Sequence, residues 1–132
     1  MLAQINAARA AGGTCGGERL PPSAPVAWNE RLFSAANAHS ADMAGRNYFA
    51  HSTPDGVDLS QRVAAAGYGA SAAGENIAAG DGSVRGVMTT WLQSDGHCRN
   101  IMRPVFTEVA VACVRGSASS YGTYWTMVLG RQ

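Results

Sequence analysis

Val109-Ala110-Val111-Ala112-Cys113-Val114 and Tyr124-Trp125-Thr126-Met127-Val128-Leu129, with Ser117 to Gly122 between them, form the stretch that decides the fold class. Each run is short, apolar, and rich in β-branched or aromatic residues. The Ser/Gly-rich segment between them reads as the loop of an antiparallel hairpin. Upstream the pattern changes to helical spacing. Ser83 is placed to cap a helix that buries Val84, Val87, Met88 and Trp91. A further helical turn is expected from Asp95 to Ile101, and Pro104 breaks it. Asp58, followed three residues on by Gln61, reads as a capping box opening a helix from Leu59 to Ala66, closed by Gly67. Asn29 caps the clearest helix, in which Trp28, Leu32, Ala36, His39 and Met43 share one stripe and Gly45 is the expected stop. A first helix runs from Leu2 to about Ala11, with Ile5 and Ala8 or Arg9 on its inner face, and Gly12-Gly13 ends it. Thr14 to Pro25, Tyr48 to Gly56, and the Gly/Ala-rich span Gly69 to Gly82 are left without regular structure. Helices first and strands last predict an α+β domain with helices on an antiparallel sheet.

The chain has 132 residues, which fits one domain over 1–132. A hydrophobic fraction of 46% with 14% charged residues describes a globular chain rather than a disordered one. All ten Lys+Arg residues are arginine, and the formal net charge is +1. That balance, without a basic stripe carrying aromatics, argues against nucleic acid as a partner. No apolar run is long enough to span a bilayer. Met1 leads directly into an amphipathic segment, so no signal peptide is read in the chain itself. A monomer is expected.

The chain has only three histidines. His39, in the middle of an apolar helical stripe, reads as a core histidine. His51 lies in a loop beside the Thr53-Pro54-Asp55-Gly56 turn, where functional side chains concentrate. His97 follows Ser94-Asp95-Gly96, and Gly96 permits close backbone approach. Glu75, set between Gly74 and Asn76-Ile77-Ala78, is a carboxylate entering an apolar segment, so it needs a paired charge or a cation. Two histidines and a carboxylate are a legitimate zinc set with open positions, which makes His51, Glu75 and His97 candidate ligands for a divalent cation such as zinc. The same three residues are candidate acid, base and orienting groups without metal. Ser94 reads either as a nucleophile near His97 or, more simply, as a helix cap. No Gly-x-Ser-x-Gly elbow, His-Glu-x-x-His run or phosphate-cradling glycine loop is present. Cys15, Cys98 and Cys113 allow three pairings with one thiol left over, or none, and lack the spacing of a cysteine zinc site.

Three blocks taken together resemble the CAP superfamily of cysteine-rich secretory proteins, venom antigens and pathogenesis-related proteins, most closely its bacterial branch. They are Phe49-Ala50-His51-Ser52, Gly74-Glu75-Asn76-Ile77-Ala78, and Trp91-Leu92-Gln93-Ser94-Asp95-Gly96-His97-Cys98-Arg99-Asn100-Ile101. Arg62 to Gly67-Tyr68, Phe106-Thr107-Glu108 and Tyr124-Trp125-Thr126 extend the match from about Leu2 to Gly130.

The resemblance implies an α-β-α sandwich on a small central antiparallel sheet. It also implies export, with an extracellular or periplasmic location and any signal peptide already removed. It places His51, Glu75, Asn76, Ser94 and His97 in a polar cleft. In plant and animal members a His/Glu tetrad is completed by a glutamate where this chain has Ser94 and by a histidine where it has Val105. An exported domain of this size gains from a disulfide, and Cys15–Cys98 is the favoured pair, with Cys98–Cys113 as runner-up. The expected role is a binding module for a small polar or lipid-headgroup ligand or an extracellular protein, leaning away from an enzyme. A metal-assisted or His/Glu-dependent hydrolase and a structural surface domain are the alternatives. Glu75→Gln is expected to damage the site more than the fold.

Overall fold

The computed structural model describes the whole chain, Met1–Gln132. In chain order it contains α1 (Leu2–Ala11), β1 (Gly13–Cys15), β2 (Glu18–Leu20), β3 (Ala27–Trp28), α2 (Glu30–Arg46), α3 (Leu59–Ala65), β4 (Ala72–Ala79), α4 (Val84–Gln93), α5 (Asp95–Met102), β5 (Glu108–Arg115) and β6 (Thr123–Arg131). The main sheet has the order β3-β5-β6-β4. Its long pairs, β5 with β6 and β4 with β6, are antiparallel, as expected, and the two-residue β3 adds a parallel fringe to β5.

Period-two alternation divides the core into layers. Val109, Val111, Trp125, Met127 and Leu129 face one way and pack with Ile5, Val87, Trp91, Cys98 and Ile101 from α1, α4 and α5. Ala110, Ala112 and Val128 face the other way, onto Leu32, Ala35, Ala36 and Val63 from α2 and α3. Small alanines on this second face let α2 lie close across β5 and β6. The layers are therefore helices, sheet, helices, and β6 is buried from Tyr124 to Gly130.

The helices follow their caps. Asn29 accepts from the Arg31 and Leu32 amides, and Ser83 accepts from the Gly86 amide. The Asp58–Gln61 capping box is complete in both directions. One stop differs from expectation. Helix α2 runs through Gly45 to Arg46 and ends at Asn47, which takes the left-handed conformation (φ 51°). A glycine inside a helix costs only about 1 kcal/mol, whereas a left-handed residue terminates it, and asparagine tolerates that geometry.

Two segments expected to be irregular are strands. Ala72–Ala79 pairs along its full length with β6. Alanine and glycine are weak strand formers, so the assignment comes from tertiary packing rather than from propensity. Gly74 is needed there, because a Cβ would stand 2.7 Å from the Phe106 ring. Within Thr14 to Pro25, β1 and β2 form a hairpin around Gly16-Gly17, both at positive φ (57° and 84°). A two-residue turn of this hand favours glycine at both positions.

Cys15, at the end of β1, is disulfide-bonded to Cys98 in α5, with Cα atoms 5.5 Å apart. The Cys98–Cys113 pairing does not form, and Cys113 is a free, exposed thiol on β5. The bridge closes a separation of 83 residues, and a loop of that length is worth about 4 kcal/mol by chain entropy.

Candidate functional site

Strand β4 lies at the edge of the sheet, and its pleat sends successive side chains to opposite faces. Glu75 points to the α2/α3 side and Asn76 to the α5 side, so the Gly-Glu-Asn block serves two neighbourhoods at once.

On the first side the Glu75 carboxylate is buried, its side chain 3% exposed. Arg62 reaches it from α3, with Nη1 donating to Oε2 at 2.6 Å and Nη2 to Oε1 at 3.1 Å. His51 Nδ1 donates to Oε1 at 2.8 Å. Both carboxylate oxygens are thus committed, one of them twice. Burial alone would push the Glu75 carboxyl up, but the bonds from His51 and Arg62 outweigh it and hold the group below its usual range. The His51 imidazole is raised, first by its hydrogen bond to Glu75, and it is 59% exposed. With Nδ1 turned inward, Nε2 is the ring nitrogen left without a protein partner.

The His51 loop is tied down from behind. Arg62 Nη2 also donates to the His51 carbonyl at 2.6 Å. His39, 1% exposed in α2, donates from Nε2 to the Ala50 carbonyl at 2.8 Å. That geometry matches its reading as a core histidine. Burial lowers its pKa, and the Arg62 charge adds to the effect. Its Nδ1 is buried without a partner.

On the second side Asn76 is fully buried and donates from Nδ2 to the His97 carbonyl at 3.1 Å, while its Oδ1 accepts from Asn100 Nδ2 at 2.9 Å. Asn100 also donates to the Glu75 carbonyl at 3.2 Å, and Trp91 Nε1 donates to the Ile77 carbonyl at 3.1 Å. These bonds satisfy carbonyls on the free edge of β4 and fix α5 against it. The Cys15–Cys98 bridge anchors the next residue along. His97 is partly buried, its Nδ1 has no partner, and its pKa is lowered first by burial and then by the positive charge of His51. The two imidazoles therefore lie within electrostatic reach of each other. Ser94 occupies the backbone N-cap of α5, but its hydroxyl makes no capping bond.

No three or more His, Cys, Asp or Glu side chains are placed to hold a metal ion. Glu75 already has its positive partner in the Arg62 guanidinium, and the two positions that complete the tetrad elsewhere are Ser94 and Val105. Arg62 is the functional residue that reading for chemistry passed over. The signal was its position: on the stripe Leu59, Arg62, Val63, Ala66 it is the one charged member among apolar ones.

No helix is long and apolar enough to cross a membrane. The model of the cysteine-rich secretory protein (CAP) family matches residues 2–129. The uncharacterized protein YkwD of Bacillus subtilis is 35% identical over 102 residues, 77% of this chain and 38% of that protein. The uncharacterized membrane protein YlbC of the same organism is 29% identical over 92 residues, 70% of this chain and 27% of its own length. The chain thus spans well under half of the curated relatives it matches. Among solved structures, an extracellular protein containing an SCP domain from Bacillus anthracis superimposes with a TM-score of 0.73 at 31% identity, covering 83% of this chain and 35% of that one. An outer surface protein of Borrelia burgdorferi shares the fold, with a TM-score of 0.73 at 14% identity over 81% of this chain and 77% of that one. With the family match running nearly end to end, the chain belongs to the cysteine-rich secretory protein (CAP) family.

Proposed function

We propose that this domain is an exported binding module whose contact group is His51 Nε2, presented to small anionic or polar ligands such as a carboxylate or a phosphate-bearing headgroup. One observation carries the reading: an exposed imidazole is held in a single orientation by a buried carboxylate, which is itself neutralised by a buried guanidinium. A hydrogen-bonded carboxylate keeps the ring oriented and favours its protonated form. With Glu75 balanced by Arg62, a protonated His51 gives the site a net positive charge, and that charge selects anions. The Cys15–Cys98 disulfide supports an oxidising compartment, as do the extracellular and outer-surface descriptions of the structural relatives.

A hydrolytic role draws on the same His–carboxylate pair, which has the geometry of an oriented general base. The binding reading is favoured over a covalent hydrolase because the His51 ring makes no hydrogen bond to a hydroxyl or thiol that could act as nucleophile. Nuclear magnetic resonance of the His51 ring, titrated with acetate, inorganic phosphate and glycerophosphate, tests it. A saturable shift that strengthens as His51 becomes protonated is expected. A ring that responds to none of the three sinks the reading, and a shift produced by zinc alone would restore the cation alternative.

A further inference from the structure

Phe49 and Tyr121 are the only large hydrophobic side chains exposed on this domain, 42% and 56% respectively. They come from different loops, yet their rings meet, with centroids 6.0 Å apart and planes tilted by 55°. Neither ring belongs to any of the three core clusters. Exposing them is unfavourable in water, and the fold does not need them where they are.

The pair is also held in place. Tyr121 packs edge-on against Tyr124, which is fully buried. The left-handed Asn47 that ends α2 turns the chain toward the β5–β6 loop, and its Oδ1 accepts from the Ser120 amide at 2.9 Å. At Gly116 a Cβ would stand 3.0 Å from the Ala44 side chain, so that loop lies tightly against the end of α2. Phe49 is two residues from His51, a Cα span of at most about 7 Å.

We propose that Phe49, Tyr121 and His51 together form a saccharide platform, whose ligand is a sugar ring bearing an acidic substituent; the acidic half rests on the reading of His51 given above. Two rings are far too few for a protein interface, which engages roughly 20–30 residues a side. Two tilted rings do match one amphipathic ring, whose C–H face packs on aromatic surface while its hydroxyls face water. Charge complementarity comes from His51. Neither neighbouring arginine is free for an anion: Arg62 is occupied by Glu75 and the His51 carbonyl, and Arg46 by Asp42 and Asp55.

The test is a resonance titration of the intact domain with two probes, cellotetraose (neutral) and a hyaluronan tetrasaccharide (acidic). Both are expected to shift the Phe49 and Tyr121 ring signals, and the acidic one is expected to bind more tightly and to shift His51 as well. Phe49→Ala and Tyr121→Ala should each weaken both probes by roughly tenfold, the scale of one aromatic stacking contact. His51→Gln should remove only the preference for the acidic probe. The platform is refuted if neither probe binds, if binding survives both alanine variants, or if phosphatidylcholine vesicles engage the two rings while the sugars do not. A His51 response to the acidic probe without ring shifts refutes the platform and leaves the anion reading standing. Equal binding of both probes refutes the acidic half together with that reading.

Discussion

Arg9 and Arg62 both bury a guanidinium, but Arg9 meets only carbonyl oxygens whereas Arg62 meets a carboxylate. Arg9, fully buried in α1, donates from Nε to Ala24 at 2.7 Å, from Nη1 to Ile101 at 2.6 Å and Arg103 at 3.1 Å, and from Nη2 to Phe106 at 3.3 Å. Two of these acceptors are at the end of α5, where helix carbonyls lack internal partners. Its planar fork of donors gathers four carbonyls, from the loop at Ala24, the end of α5 and the approach to β5, and no ligand-facing group touches it. Arg62 spends its donors on Glu75 and the His51 carbonyl, and so transmits its position to an exposed ring. A buried cation is a fold device in one case and a site device in the other.

The largest effect expected is from Arg9→Met. It keeps an apolar stem but removes the donor from four carbonyls, two of them on the buried residues Ile101 and Phe106, at about 1 kcal/mol each, so a loss of about 4 kcal/mol is expected in denaturant unfolding. The His51 titration should not move. A shifted His51 in a folded Arg9→Met protein would erase the contrast. Arg62→Met comes next. It strands the buried Glu75 carboxylate beside His51 alone, and breaking such a pair costs about 3 kcal/mol. Because the Arg62 charge lowers the His51 pKa, its removal should raise that pKa further, a sign that histidine resonance titration reads directly.

Glu75→Gln is expected to cost less, about 2 kcal/mol, since the amide retains some hydrogen bonding. It also revises the expectation from sequence: with Arg62 at 2.6 Å, the substitution leaves a buried guanidinium without a counter-charge, so the fold suffers alongside the site. His51 loses the bond that raises it, and its pKa should fall toward the ordinary value of about 6.5. An unchanged His51 pKa in this variant would remove the dyad from consideration.

What could be read from the sequence divides along the same line. The helices of this chain carry caps and a 3.6-residue stripe, and those signals are local. The hairpin at 109–129 has β-branched and aromatic residues with a period of two. Strand β4 has one β-branched residue, Ile77, and no aromatic one; Gly74 is small to admit Phe106, Ala72 and Ala78 pack on the side of α4 and α5, and its identity as a strand depends on partners distant in sequence. His51 and Glu75 were recognisable as an unusual loop histidine and an unusual apolar-flanked acid. Arg62 was hidden because a charged residue on a helix usually faces water, and only the carboxylate one strand away makes its burial favourable. His97 was recognisable as a neighbour, but its tie to the site runs through the backbone carbonyl held by Asn76, which side-chain chemistry alone does not suggest.

The smallest effect expected is in the pH dependence of stability, where His39 and His97, both lowered by burial, pull against His51. The pKa of His39 is lowered by burial, so its contribution is complete above the unfolded value of about 6.5 and is lost as pH falls through its folded pKa. The pKa of His51 is raised by Glu75, so its contribution is complete below about 6.5 and is lost as pH rises through its folded pKa. Glu75, itself held low, adds loss only at more acid pH. Unfolding free energy should therefore pass through a shallow maximum near the ordinary histidine pKa, with separate causes for its two flanks. His39→Gln, whose amide can still donate to the Ala50 carbonyl, should flatten part of the acid flank, the remainder belonging to His97, and leave the other. His51→Gln should flatten the alkaline flank and leave the acid one. Chemical unfolding of the three proteins across both flanks decides the assignment. If His39→Gln leaves the acid flank as steep as wild type, that flank belongs to His97 rather than to the buried histidine behind the His51 loop.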